Sequence, residues 1–201
     1  QRVHFAKTAS AQRVALTVSS RTIELWQLEW QRQDGQTSIE TSRQYQLDTG
    51  HDGFLGLDFL NSSTLLVVHT DGAVEAWDVG KPGSASPPAE PIWSIHVGER
   101  LETCDTFVGP DHRGWVALGD IRGGFYLMRV APDELPIVFS SDVHDDALLS
   151  VQFSWDGREI ATAGRDRKIC IWDPSQIDER EPSEVGEFPE LEPLRQMTGS
   201  E

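Results

Sequence analysis

The residues best equipped for chemistry in this chain are histidines beside carboxylates: His51 next to Asp52, and His144 next to Asp145 and Asp146, with Asp166 following. Imidazole and carboxylate together can ligate a divalent metal, and a His–Asp pair can orient a general base. Each use needs further partners. A metal centre needs more donors at close spacing, and a base needs a nucleophile to activate. The six histidines stand far apart in sequence, and no Cys-x-x-Cys, glycine-rich phosphate loop or nucleophile elbow is present. No serine or cysteine is placed to use a His144–Asp166 dyad. The sequence therefore predicts no catalytic residue, no metal and no cofactor, and a structural role for both histidines.

The elements that must position these residues repeat. Residues 143–173 run from His144 through an alternating segment, a Trp155-Asp156-Gly157 turn, a second strand, Arg165-Asp166-Arg167, and a strand ending Ile171-Trp172-Asp173. A second copy begins at Gly50-His51-Asp52-Gly53, has strands at 55–60 and 65–69, turns at Asp71-Gly72 and closes on Trp77-Asp78. From Trp77 to Trp172 is 95 residues, enough for two repeats, so a degraded copy lies between them, with Met128 in the tryptophan's place 51 residues after Trp77. A further copy opens the chain and puts Trp26 another 51 residues upstream. Runs at 41–47, 91–97 and 135–140 supply a fourth strand to the first three copies. Dense β-branched and aromatic residues without helical periodicity make the chain all-β to about residue 174. A unit of this size cannot bury its own apolar faces and must stack on neighbours.

On these residues the chain resembles the WD40-repeat family, whose blades run from a Gly-His pair to a Trp-Asp pair. The resemblance is strong over 50–78 and 144–173 and weak over 3–28 and 99–130. It implies an all-β fold of propeller blades, each of four antiparallel strands, with blades near 1–49, 50–98, 99–143 and 144–174, followed by an acidic tail or linker at 175–201. It also implies a hydrogen-bonded chain through His144, Thr162, Asp166 and Trp172. The second copy keeps His51, Asp71 and Trp77 but has Val67 at the hydroxyl position. A Trp-Asp-x-Arg signature for docking onto a cullin-ligase adaptor is missing: the two sites read Trp77-Asp78-Val79-Gly80 and Trp172-Asp173-Pro174-Ser175.

About four blades and about fifteen strands fit in 201 residues, with the last copy stopping at its third strand. Members of the family mostly close with more blades, and an open arc leaves unpaired edges. The remaining blades are expected from the same longer polypeptide; two copies, a partner chain or a compact ring are alternatives. The net charge is −16, with 33 acidic and 17 basic residues, of which Lys7, Lys81 and Lys168 are the only lysines. No basic cluster exists to displace counterions, so direct nucleic-acid binding and an anionic membrane surface are disfavoured, and basic partners are favoured. Cys104 and Cys170 read as structural thiols, Asn61-Ser62-Ser63 as a polar turn, and no apolar run is long enough for a membrane-spanning helix. An intracellular setting, cytoplasmic or nuclear, is expected.

Two groups of residues stand out as partner contacts. Trp155 occupies a turn where the family usually has proline, and is expected to be exposed. Arg165, Arg167 and Lys168 surround the turn on the face where such propellers usually receive ligands, with Arg122 at the matching turn one copy earlier. In the tail, Val185, Phe188 and Leu191 read as anchors of an acidic docking peptide or as parts of a disordered linker. The expected function is a non-catalytic scaffold that binds proteins or peptides through the propeller faces; the alternative is the sensor or substrate-receptor domain of a larger regulatory enzyme or complex.

Overall fold

A computed structural model describes residues 3–5, 13–33, 36–81, 86–109, 114–132, 134–175 and 191–199, and among them lie sixteen β-strands. They form four sheets, each of four sequence-consecutive antiparallel strands. Contacts divide the chain into two compact units: 1–69 with 73–95, and 70–72 with 96–201.

The first unit holds two sheets. One is β1 (Val3–Phe5), β2 (Arg13–Thr17), β3 (Thr22–Gln33) and β4 (Gln36–Asp48); the other is β5 (Phe54–Phe59), β6 (Thr64–His69), β7 (Ala73–Asp78) and β8 (Trp93–His96). β6 reads Thr-Leu-Leu-Val-Val-His and every residue of it is buried. Such a continuous apolar run belongs to a strand covered on both faces. Ala15, Ile23, Leu25 and Leu47 of the first sheet pack against Leu57, Phe59, Leu65, Val67 and Trp77 of the second. The Asn61-Ser62-Ser63 turn is held by the Asn61 side-chain oxygen, which accepts the N–H of Ser63 at 2.7 Å and of Thr64 at 2.8 Å. Among the described residues the β2–β3 pairing reaches Gln27, while β3 and β4 stay paired on to Gln33↔Gln36. A bulge beside Leu25 and Trp26 leaves Gln44 unpaired at the root of this extension.

The second unit holds β9 (Leu101–Val108), β10 (Gly114–Asp120), β11 (Phe125–Ala131) and β12 (Glu134–Ser141) in one sheet, and β13 (Leu148–Phe153), β14 (Ile160–Gly164), β15 (Lys168–Trp172) and β16 (Arg195–Thr198) in the other. Its core joins Ala117, Phe125, Leu127 and Phe139 to Leu148, Val151, Phe153, Ile160, Cys170 and Trp172.

The tail departs from the sequence expectation. The fourth sheet does not stop at Trp172: β16 pairs with β15 from Lys168↔Thr198 to Ile171↔Arg195, so four strands form where three were expected. Leu191 is buried in the second unit's core, and its N–H bonds to the Ser140 carbonyl at 3.0 Å. It is therefore a core residue and not an anchor free to dock elsewhere. Val185 and Phe188 lie outside the described residues.

Candidate functional site

In the fourth sheet, strand alternation puts Thr162 on β14 and Trp172 on β15 on the buried side, and the loop before β13 brings His144 over them. Trp172 Nε1–H donates to Thr162 Oγ1 at 3.0 Å, and Thr162 Oγ1 lies 2.9 Å from His144 Nε2. His144 Nδ1 faces both oxygens of Asp166 at 3.1 and 3.2 Å. An indole can only donate and a carboxylate only accept, so Thr162 Oγ1 accepts from Trp172 and His144 Nδ1–H donates to Asp166. Burial of Asp166 would raise its pKa, but the N–H groups of Asp145 and Lys168 together with His144 outweigh it and hold the carboxyl below its usual range. Space here is filled: a Cβ at Gly164 would sit 2.5 Å from Asp166 Oδ1 and 2.7 Å from His144 Nδ1.

The second copy reaches the same end with other residues. Trp77 Nε1–H donates to Glu75 Oε2 at 2.9 Å, the same oxygen lies 3.2 Å from His69 Nε2, and His51 Nε2 is 3.6 Å from Glu75 Oε1. Glu75 stands two residues before the tryptophan, on the same strand face. Glu24 does the same for Trp26 at 3.1 Å. In the third copy Tyr126, two before Met128, donates its hydroxyl to Asp120 at 3.0 Å, and burial and that carboxylate raise the phenol's pKa. The resemblance implies a hydroxyl on the second strand, whereas here the polar group stands two residues before the aromatic or Met128 position, marked in the sequence by nothing more than two occurrences of Glu-x-Trp. Arg13, which nothing in the sequence marks, is buried and donates to the carbonyls of Ser62, Val79 and Gly80.

The partner candidates separate. Trp155 is 94% exposed at the turn between β13 and β14. That turn is braced by the Asp156 carboxylate, which accepts Ser154 Oγ–H at 2.7 Å and the Arg158 N–H at 3.2 Å. Beside it opens a cleft of about 480 Å³ lined by Trp115, Arg158, Glu159, Asp173, Ser175 and Leu194. Arg165 and Arg167 are exposed at the next turn, at the opposite end of the sheet, so the structure does not bring them to Trp155. Lys168 is engaged differently from the expectation of an open cation: its ammonium bonds to Asp145 at 2.5 Å, which raises its pKa, and to the Val143 carbonyl at 3.2 Å. Arg122 pairs with Glu99 at 2.9 Å while both stay exposed. Among the described residues no group of three or more His, Cys, Asp or Glu side chains is arranged to hold a metal.

The family described as WD domain, G-beta repeat matches residues 136–173. The chain thus contains a WD40 repeat. The match opens in β12 and closes at the Trp172-Asp173 pair, so a WD40 repeat in sequence straddles two sheets in space. Among solved structures, the WD40 domain of coronin from Toxoplasma gondii aligns with a TM-score of 0.55 at 16% identity, covering 82% of this chain and 41% of that one. At that identity the match concerns fold. U3 small nucleolar RNA-associated protein 12 of Saccharomyces cerevisiae is 23% identical over 167 residues, which is 83% of this chain and 16% of the yeast protein's length.

Proposed function

We propose that this chain is a non-catalytic protein-interaction scaffold that presents the turns of its fourth WD40 repeat to partner proteins. The observation that carries this reading is Trp155: a fully displayed indole on a turn braced by Asp156, next to an open cleft. Exposed tryptophan on a rigid support is the side chain most suited to anchor an interface. The groups that resemble a catalytic set are otherwise occupied, since His144, Thr162 and Asp166 bond to one another, to Trp172 and to the backbone N–H groups of Asp145 and Lys168. The yeast relative's name associates that protein with a small nucleolar RNA. Given a net charge of −16 here, we place this chain in such a nuclear assembly through protein contacts, not through phosphate backbone.

The test is recovery of the tagged chain and its Trp155→Ala variant from cells, with co-purifying proteins quantified by mass spectrometry before and after ribonuclease treatment. A defined set that survives ribonuclease and falls at least about fivefold in the variant is expected. Identical sets from both proteins, or loss of every partner to ribonuclease, would overturn the reading.

A further inference from the structure

The hairpin of β3 and β4 is built unlike any other outer strand pair in the chain. Beyond Gln27 no described residue of β2 pairs with it, yet it continues for six residue pairs, from Leu28↔Thr41 to Gln33↔Gln36, a reach of roughly 20 Å at ordinary strand rise. All residues from Glu29 to Gln33 and from Gln36 to Arg43 are exposed. Two-stranded ribbons are marginal alone in water. This one nonetheless displays Trp30 at 60% exposure directly across from Ile39 at 48%.

The outer strands of the sheets differ in how their open edges are guarded. β8 and β16 are four residues each, and β12 carries Pro136. Short length and proline are the usual defences against strand addition. β4 has neither: it is thirteen residues long, holds no proline or lysine, and is the last strand of its sheet. Its side chains sort cleanly by face. Leu28, Trp30, Ile39 and Thr41 lie on one side, while Glu29 and Glu40 lie opposite each other on the other, with Gln31 Nε2–H donating to Glu40 at 2.7 Å. Like charges directly across a ladder repel, and a cation from a third strand relieves them.

We propose that residues 28–33 and 36–43 form an arm that accepts, by strand addition along β4, an extended basic segment of a partner protein. In that segment apolar residues seat on Trp30 and Ile39, and alternate Lys or Arg residues face Glu29 and Glu40. Backbone pairing supplies affinity and the alternating side chains supply selectivity. The net charge of −16 favours approach of such a segment and opposes self-pairing of two arms. The proposal rests on the scaffold reading and extends it to a surface apart from the Trp155 turn.

The probe is a fluorescein-labelled peptide of four Lys-Val pairs, with four Glu-Val pairs as its control, titrated by anisotropy against the 201-residue chain. An arm-shortened variant replaces residues 29–40 by Asn-Gly, which closes Leu28 onto Thr41 with a two-residue turn and is checked by circular dichroism. Expected is binding of the Lys-Val peptide that weakens at least about tenfold on shortening. Glu40→Lys should weaken it too and improve the Glu-Val peptide. Equal affinity of parent and shortened chains for the Lys-Val peptide, or no binding to either, overturns the proposal. Concentration-dependent dimers that vanish on shortening overturn it as well, by assigning the edge to a second copy. Retention of the Trp155-dependent proteins by the shortened chain would leave the scaffold reading standing when the arm fails.

Discussion

Thr162 Oγ1 is the hinge of the fourth repeat's polar relay, since it accepts the indole N–H of Trp172 and lies 2.9 Å from the imidazole Nε2 of His144. Thr162→Val keeps the shape and removes both bonds, leaving a buried indole N–H and a buried imidazole nitrogen unmet; the expected loss is about 2–4 kcal/mol by urea denaturation. Asp166 adds a pH signature. Its folded pKa is depressed, so its contribution is complete above the unfolded carboxyl value of about 3.9 and is lost as pH falls through the folded value. The gap in melting temperature between the chain and Asp166→Asn should therefore be widest near neutrality and close towards pH 3. The members of this relay were legible in sequence through the family resemblance. Glu24, Glu75 and Tyr126 were not, because a carboxylate or phenol two residues before an aromatic looks like ordinary strand alternation until the ring's N–H needs an acceptor.

Strands with strong apolar alternation were readable at the level of elements, and β5, β6, β7 and β13 to β15 fall where the pattern puts them. β16 was not readable: Arg195-Gln196-Met197-Thr198 has no buried residue, and backbone pairing to β15 is all that makes it a strand. The burial of Leu191 is illegible for a related reason, since one leucine among acidic residues and prolines carries no periodicity. Its burial makes a firm prediction. Leu191→Ala should cost about 2–4 kcal/mol in thermal or urea unfolding, whereas a free docking anchor would cost nothing. β4 is longer than the run expected at 41–47, and β3 extends with it. Asp34-Gly35 between polar, β-branched and aromatic residues is a hairpin signal that would have joined them.

For the molecule as a whole, charge is the property that sequence alone settles. With an isoelectric point near 4.6, turbidity of a concentrated solution should peak close to that pH and clear on return to neutrality, with the far-ultraviolet β-signal unchanged. That clearing separates colloidal attraction from the acid loss of Asp166, which sets in lower. Neither pattern nor charge could reveal which turn residues face a partner, because exposure of Trp155 and capture of Lys168 by Asp145 depend on how loops meet. Arg167 carries a last consequence. It is the one non-glycine residue at positive φ among those described, at 64°, a conformation in which glycine or asparagine would be more comfortable. A library varied at this codon and screened only for heat resistance should drift to glycine or asparagine. The same library screened in living cells for fitness should keep arginine if its guanidinium meets another molecule. Divergence between the two screens would report the contact before anyone knows what is contacted.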